Sequence, residues 1–271
     1  MGRKHWIGAL FLIIGLLLCA AFSVAEAKWP AAPGRSLKND GKLQLDANNT
    51  SEGYFIARLK KSNSHRMKLR VTKGKETLTY DLNGKGDFEV FPLQFGSGKY
   101  VVTLYENVSG KKYSAAGKIT LNVKLSSEDI CFYYPNQYVN YSETTEPVGK
   151  AEEICAGQTA EERYATICRF MKKNLNYDYI KALTIKAGTL PDIEGSYKKK
   201  MGICQDLSAI MCCMLRTQDI PARLTIGYAD KAYHAWVEFD YNGKHYFFDP
   251  TAAVNGIQNV KTYSVDRKSV V

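Results

Sequence analysis

Between Tyr54 and Leu125 the chain alternates apolar and polar residues with a period of two. Met67, Leu69 and Val71 alternate with Lys68, Arg70 and Thr72, and Leu78, Tyr80 and Leu82 with Thr77, Thr79 and Asp81. Ile119, Leu121, Val123 and Leu125 repeat the pattern against Lys118, Thr120, Asn122 and Lys124. Runs of this kind are strands with one buried and one wet face. Turn residues break them at Asn83-Gly84, Gly96-Ser97-Gly98 and Ser109-Gly110. Short strands punctuated in this way predict a small antiparallel β-sandwich over residues 53–125, immunoglobulin-like in outline. The stretch has no Cys, and its one His, His65, lies in a polar turn. Spacing or binding is its expected role.

After residue 125 the period becomes helical. Thr159 and Glu162 are placed as a capping box, each side chain satisfying a backbone amide left open at a helix start. Tyr164, Ile167, Cys168, Met171 and Leu175 follow at helical spacing, which predicts a helix from Ala160 to Asn174 with Cys168 on its buried stripe. Residues 181–200 read as a long connection ending in Lys198-Lys199-Lys200. A second helix opens at Gly202-Ile203-Cys204, and from Leu207 to Leu215 it has almost no polar face, so it belongs at the centre of a domain. Beyond it, residues 233–239 and 245–249 read as two strands joined by Asn242-Gly243, a two-residue hairpin signal. A turn that tight pairs Asp249 with Trp236 and makes His234 the diagonal neighbour of Asp249 on one face. His245 shares that face but lies about 13 Å away along the strand.

The first 27 residues fit neither rhythm. Arg3 and Lys4 precede an apolar run from Ile7 to Val24, then Ala25-Glu26-Ala27, the pattern of a secretory signal cleaved before Lys28. A run of about 18 residues also suffices for a retained membrane anchor, and Cys19 weakly resembles a lipoprotein site. Each alternative places the body outside the cytoplasm, secreted or at the cell surface. Residues 28–52, rich in Pro, Gly, Asn and Lys, read as a linker or a loose lead-in strand. The organisation expected is therefore 1–27 signal peptide, 28–52 linker, 53–125 sandwich and 126–271 a second domain.

Composition narrows the picture only a little. With 271 residues, 45% hydrophobic and 24% charged, the chain is ordinary globular protein. The formal charge of +10 belongs to the body, because the leader holds only Arg3, Lys4 and Glu26. An anionic cell-surface polymer would suit that excess; no nucleic-acid partner is expected, and a membrane only if the leader is retained. Six cysteines follow the leader, all beyond residue 125: Cys131, Cys155, Cys168, Cys204, Cys212 and Cys213. Extracellular cysteines normally pair, and six allow fifteen pairings. Cys168, Cys212 and Cys213 fall on buried helical positions and read as core thiols, leaving Cys131 and Cys155 open.

Cys204 differs from these by its place at a helix start, where free amides and the helix dipole favour a thiolate. Gly202 lets the backbone approach closely just before it. His234 and Asp249 across one hairpin supply a base and a group that orients it. No Cys-x-x-Cys spacing offers a metal site, and no cofactor is expected.

Five motifs in order then resemble a known family: Gly202-Ile203-Cys204-Gln205-Asp206, Asp219-Ile220-Pro221-Ala222-Arg223, Gly227-Tyr228, His234-Ala235-Trp236-Val237-Glu238 and Phe248-Asp249-Pro250-Thr251. They are similar to the core of the transglutaminase-like superfamily, and Tyr177-Asp178-Tyr179 resembles its bacterial members. The resemblance spans about residues 130–260. It implies an α+β, cysteine-protease-like core with helices packed on an antiparallel sheet, preceded here by the β-sandwich. By position it makes Cys204 the nucleophile, His234 the base and Asp249 its orienter. It further implies thioester chemistry on glutamine carboxamides or peptide carbonyls of extracellular proteins, ending in transamidation, deamidation or proteolysis. The second oxyanion donor, a Tyr or Gln side chain, is left open. The alternative is an inactive secreted adhesion or scaffold protein that binds through the sandwich and a relic domain.

Overall fold

Eight strands come first in the chain: β1 (Leu37–Asp40), β2 (Leu43–Asp46), β3 (Tyr54–Leu59), β4 (Met67–Lys73), β5 (Glu76–Leu82), β6 (Glu89–Pro92), β7 (Gly98–Ser109) and β8 (Lys112–Val123). They form two antiparallel four-stranded sheets, ordered β1-β2-β3-β6 and β5-β4-β7-β8. The alternation puts Met67, Leu69 and Val71 of β4 inside, each almost wholly buried. Tyr80 of the second sheet meets Phe91 of the first edge to face at 5.3 Å, so the buried faces interlock. The computed structural model describes residues 25–257 and 260–266; the leader expected over 1–27 lies, up to residue 24, outside the described residues. Of the two readings for 28–52, the strand applies to residues 37–46, where β1 and β2 extend the first sheet.

The rest of the described chain mixes helix and strand. In order come α1 (Glu146–Cys155), α2 (Ala160–Asn174), β9 (Asn176–Tyr177), α3 (Tyr179–Thr184), α4 (Ile193–Lys199), β10 (Met201–Gly202), α5 (Cys204–Arg216), β11 (Arg223–Ala229), β12 (Ala232–Tyr241), β13 (Lys244–Phe248), α6 (Pro250–Asn255) and β14 (Tyr263–Val265). Helix α2 has the predicted span and opens with the predicted capping box between Thr159 and Glu162. Every residue of α5 from Leu207 to Leu215 is fully buried, with α1, α2 and α4 packed around it. At the end of α5 the buried Arg216 donates to the Ala222 carbonyl at 2.9 Å and the Tyr134 carbonyl at 2.7 Å. It thereby ties this helix to the segment that follows the β-sandwich.

Residues 181–200 are not one long connection. Two short helices occupy most of them, each started by an aspartate whose side chain accepts a free amide: Asp178 from Lys181 and Asp192 from Gly195. A second antiparallel layer has the order β13-β12-β11-β14. Its hairpin keeps the register expected of a two-residue turn, with Tyr241 opposite Lys244 and Val237 opposite Phe248. Asn242 and Gly243 both have positive φ, at 49° and 71°, the conformation of a type I′ turn. Ala235, Val237 and Phe239 of β12 share one core with α5, which leaves His234 and Trp236 on the opposite face.

Candidate active site

Cys204 is the first residue of α5, and its approach is shaped by a buried carboxylate. Asp206, fully buried, accepts the Ile203 amide at 2.9 Å, the Asp192 amide at 2.9 Å and the Lys181 ammonium at 2.7 Å. A buried carboxylate is tolerable only when its lone pairs are filled in this manner. One side chain thus joins the start of α5, the start of α4 and helix α3. Gly202 passes so close that a Cβ there would stand 2.8 Å from Asp206 Cβ and 3.2 Å from Ser196 Cβ. Gly202 also pairs with Tyr177 in the short parallel β9–β10 ladder, which seats a tyrosine beside the cysteine.

His234 comes from β12 and Asp249 from the residue after β13. Asp249 caps α6, its Oδ1 accepting the Ala252 amide at 3.0 Å. Its Oδ2 lies 2.8 Å from His234 Nε2. A carboxylate only accepts, so Nε2 carries the proton and Nδ1 is the nitrogen left for the Cys204 thiol, which is near enough to act on the charge of the ring. The three residues singled out from sequence are therefore brought together from a helix start, a strand and a strand end. Burial disfavours the charged imidazole, but the hydrogen bonds and charges of Asp249 and Cys204 outweigh it and lift His234 to about 9. Asp249 moves the other way. Burial raises it, yet His234, the Ala252 amide and Tyr263 together hold it below the ordinary carboxylate range.

Tyr263 is the residue that pattern reading did not find. Its hydroxyl donates to Asp249 Oδ2 at 2.8 Å, and its ring meets Trp236 at 5.2 Å and Phe247 at 4.7 Å. Trp236 is fully buried between that ring and His234. Asp206 stands three residues past the N-cap of α5, and that spacing is the local signal in the sequence for its role.

The other cysteines are free thiols in different surroundings. Burial pushes Cys131, Cys168 and Cys212 up to about 12 and Cys155 up to about 11. Cys213 is raised for the same reason. His245 is hydrogen-bonded to Asp240 at 2.9 Å in an exposed contact on the hairpin. Lys198 is engaged with Glu194 and Glu146, and Lys200 lies over the Tyr197 ring. Among the described residues no group of three or more His, Cys, Asp or Glu side chains is arranged to hold a metal ion, and no helix is long and apolar enough to cross a membrane.

Among solved structures, a chain from Cytophaga hutchinsonii provisionally described as a cysteine protease is 16% identical. It covers 87% of this chain and 87% of its own, with a TM-score of 0.42. A structure described as a TGase is 15% identical over 57% of this chain and 46% of its own, TM-score 0.37. Red sea bream transglutaminase is 13% identical over 73% of this chain and 47% of its own, TM-score 0.29. This chain thus spans less than half the length of the latter two. No curated protein matches it in sequence. Residues 149–250, which hold Cys204, His234 and Asp249, match the model of the transglutaminase-like superfamily.

Proposed function

We propose that the chain is a thiol enzyme working outside the cytoplasm, with Cys204 as nucleophile, His234 as acid and base and Asp249 as orienter. The observation that carries this reading is the gathering of the three in one place, with His234 bonded to Asp249 through Nε2 and Cys204 near enough to act on the charge of the same ring. The substrates are glutamine carboxamides or peptide carbonyls of extracellular proteins. The Cys204 thiolate adds to the carbonyl carbon, and the carbonyl π pair moves onto oxygen. That oxyanion is received by the Cys204 amide, which as a first-turn amide has no acceptor within its own helix. Tyr177 is the second donor. Burial first, and then the charge of the adjacent Cys204, raise its hydroxyl above the ordinary range, so it remains a proton donor. Gln205 is turned toward the Thr189 carbonyl, to which its amide donates at 3.0 Å.

Collapse of the adduct expels the nitrogen, which takes the proton from His234 Nδ1 and leaves a thioester on Cys204. An amine or water then attacks the thioester carbon, passes a proton to His234 and releases sulfur as thiolate. An amine yields a new amide; water yields deamidation or peptide cleavage.

Alkylation of the folded protein by iodoacetamide across pH tests the nucleophile. Cys204 is expected to react fastest and at the lowest pH, and Cys204→Ser to remove that phase. Equal reactivity in wild type and variant, or Cys204 in a disulfide, overturns the reading. Intact-mass detection of an acyl adduct on Cys204, after incubation with extracellular protein, identifies the donor.

A further inference from the structure

Strand β14 lies at the edge of the sheet, beyond the segment that matches the family, yet it sends one side chain into the site. Tyr263 donates to the same oxygen of Asp249 that holds His234, both at 2.8 Å. The other oxygen is committed to the Ala252 amide, so the carboxylate is fixed at both ends. The strand is itself clasped. The Asp230 carboxylate accepts the Lys261 and Thr262 amides and the Thr262 hydroxyl at 3.0–3.2 Å. Gly227 lies so close to β14 that a Cβ there would stand 2.1 Å from the Ser264 carbonyl oxygen.

We infer that Tyr263 is a fourth, positioning member of the Cys204–His234–Asp249 site, moderating how strongly Asp249 holds the imidazolium. A carboxylate oxygen that accepts two hydrogen bonds shares its charge between them, so each donor is held less tightly than it would be alone. Remove the phenol, and Asp249 becomes more basic and grips the His234 proton harder. With Oδ1 still anchored on α6, the carboxylate stays in place, so loss of charge sharing outweighs loss of orientation. The imidazolium then becomes a poorer acid toward the departing amine, since a general acid works best when its pKa lies near the working pH. Tyr263 therefore keeps His234 ready to give its proton back. This inference rests on the thiol-enzyme reading for its catalytic meaning, though not for its measurement.

The test is Tyr263→Phe in the full chain, which removes one oxygen and keeps the ring packed on Trp236 and Phe247. The His234 ring is titrated by NMR, and Cys204 alkylation is followed across the same pH range. His234 is expected to titrate higher by on the order of half a unit, Asp249 also to titrate higher, and the thermal midpoint to change little. Superimposable His234 titrations in wild type and Tyr263→Phe overturn the inference, whatever the thiol does. An inert Cys204 beside a shifted His234 instead overturns the enzyme reading and leaves the Tyr263 coupling standing.

Discussion

His234 Nε2 and Asp249 Oδ2 meet at 2.8 Å across fifteen residues of chain, because a type I′ turn at Asn242-Gly243 fixes the register between them. Asp249→Asn tests what that contact does. The amide oxygen can still cap α6 through Ala252, but its NH2 group would face two donors, His234 Nε2–H and the Tyr263 hydroxyl. The neutral imidazole then turns to the tautomer with its proton on Nδ1, unable to accept one from the thiol. Thioester formation should fall about 10^3- to 10^4-fold, measured as single-turnover acylation, while the melting temperature changes little. A loss of less than about tenfold would show that Asp249 does not set the tautomer.

The pH dependence follows from opposite shifts on the same pair. His234 is raised from 6.5 to about 9, burial working against the charged ring and its bonds to Asp249 and Cys204 prevailing. Its contribution to stability is fully present below 6.5 and disappears as pH rises through about 9. Asp249 is lowered, so its contribution is present above its ordinary range and lost in acid, as pH falls through its folded value. Acyl transfer should therefore decline above about pH 9 as the proton needed by the leaving group is lost. Alkylation of Cys204 needs only the thiolate and should not decline there. The gap in melting temperature between wild type and His234→Ala should narrow over pH 6.5 to about 9. Parallel alkaline losses of both activities would contradict this.

What could be read in advance was whatever local chemistry determines. The capping box at Thr159 and Glu162, the all-apolar stretch of α5 and the Asn242-Gly243 turn each act within a few residues, and each stands where expected. The two short helices α3 and α4 lacked an apolar period because each spans only six or seven residues. Their aspartate caps, Asp178 and Asp192, were the one local sign. Tyr263 could not be found by any such rule. It reaches Asp249 only because β14 pairs with β11, a contact between distant parts of the chain, and a single tyrosine carries no spacing of its own. Strands β1 and β2 were equally faint, four residues each and without sustained alternation.

Gly202→Ala probes how closely the chain must pass before the thiol. Its methyl group would stand 2.8 Å from Asp206 Cβ, too near for contact without a backbone shift. Such overpacking should cost about 1–3 kcal/mol and displace the start of α5. The expected result is a lower denaturation midpoint together with slower alkylation of Cys204. Unchanged reactivity in a destabilised variant would separate the packing role from the site.

Lys181→Met removes the cation from the fully buried Asp206 and leaves its two backbone hydrogen bonds intact. Loss of one charged hydrogen bond at a buried carboxylate should destabilise by about 2 kcal/mol, seen in chemical denaturation at neutral pH. Lys181→Arg keeps a cation beside the carboxylate and should retain most of that stability. Equal losses in Lys181→Met and Lys181→Arg would show that Asp206 gains nothing from the charge of Lys181.

Tyr177→Phe separates the oxyanion from the nucleophile. Tyr177 pairs with Gly202 across β9–β10, and the Cys204 charge contributes to raising its hydroxyl. Alkylation builds no oxyanion, so iodoacetamide should modify Cys204 in Tyr177→Phe at close to the wild-type rate. Acyl transfer passes through a tetrahedral adduct and loses one of its two donors. Removing a donor of this type costs about 10^2- to 10^3-fold in rate, so single-turnover acylation should fall by that factor with the apparent substrate affinity preserved. Equal losses in alkylation and acylation would mean that Tyr177 shapes the thiol rather than the adduct, and the second donor would then have to come from elsewhere around Cys204.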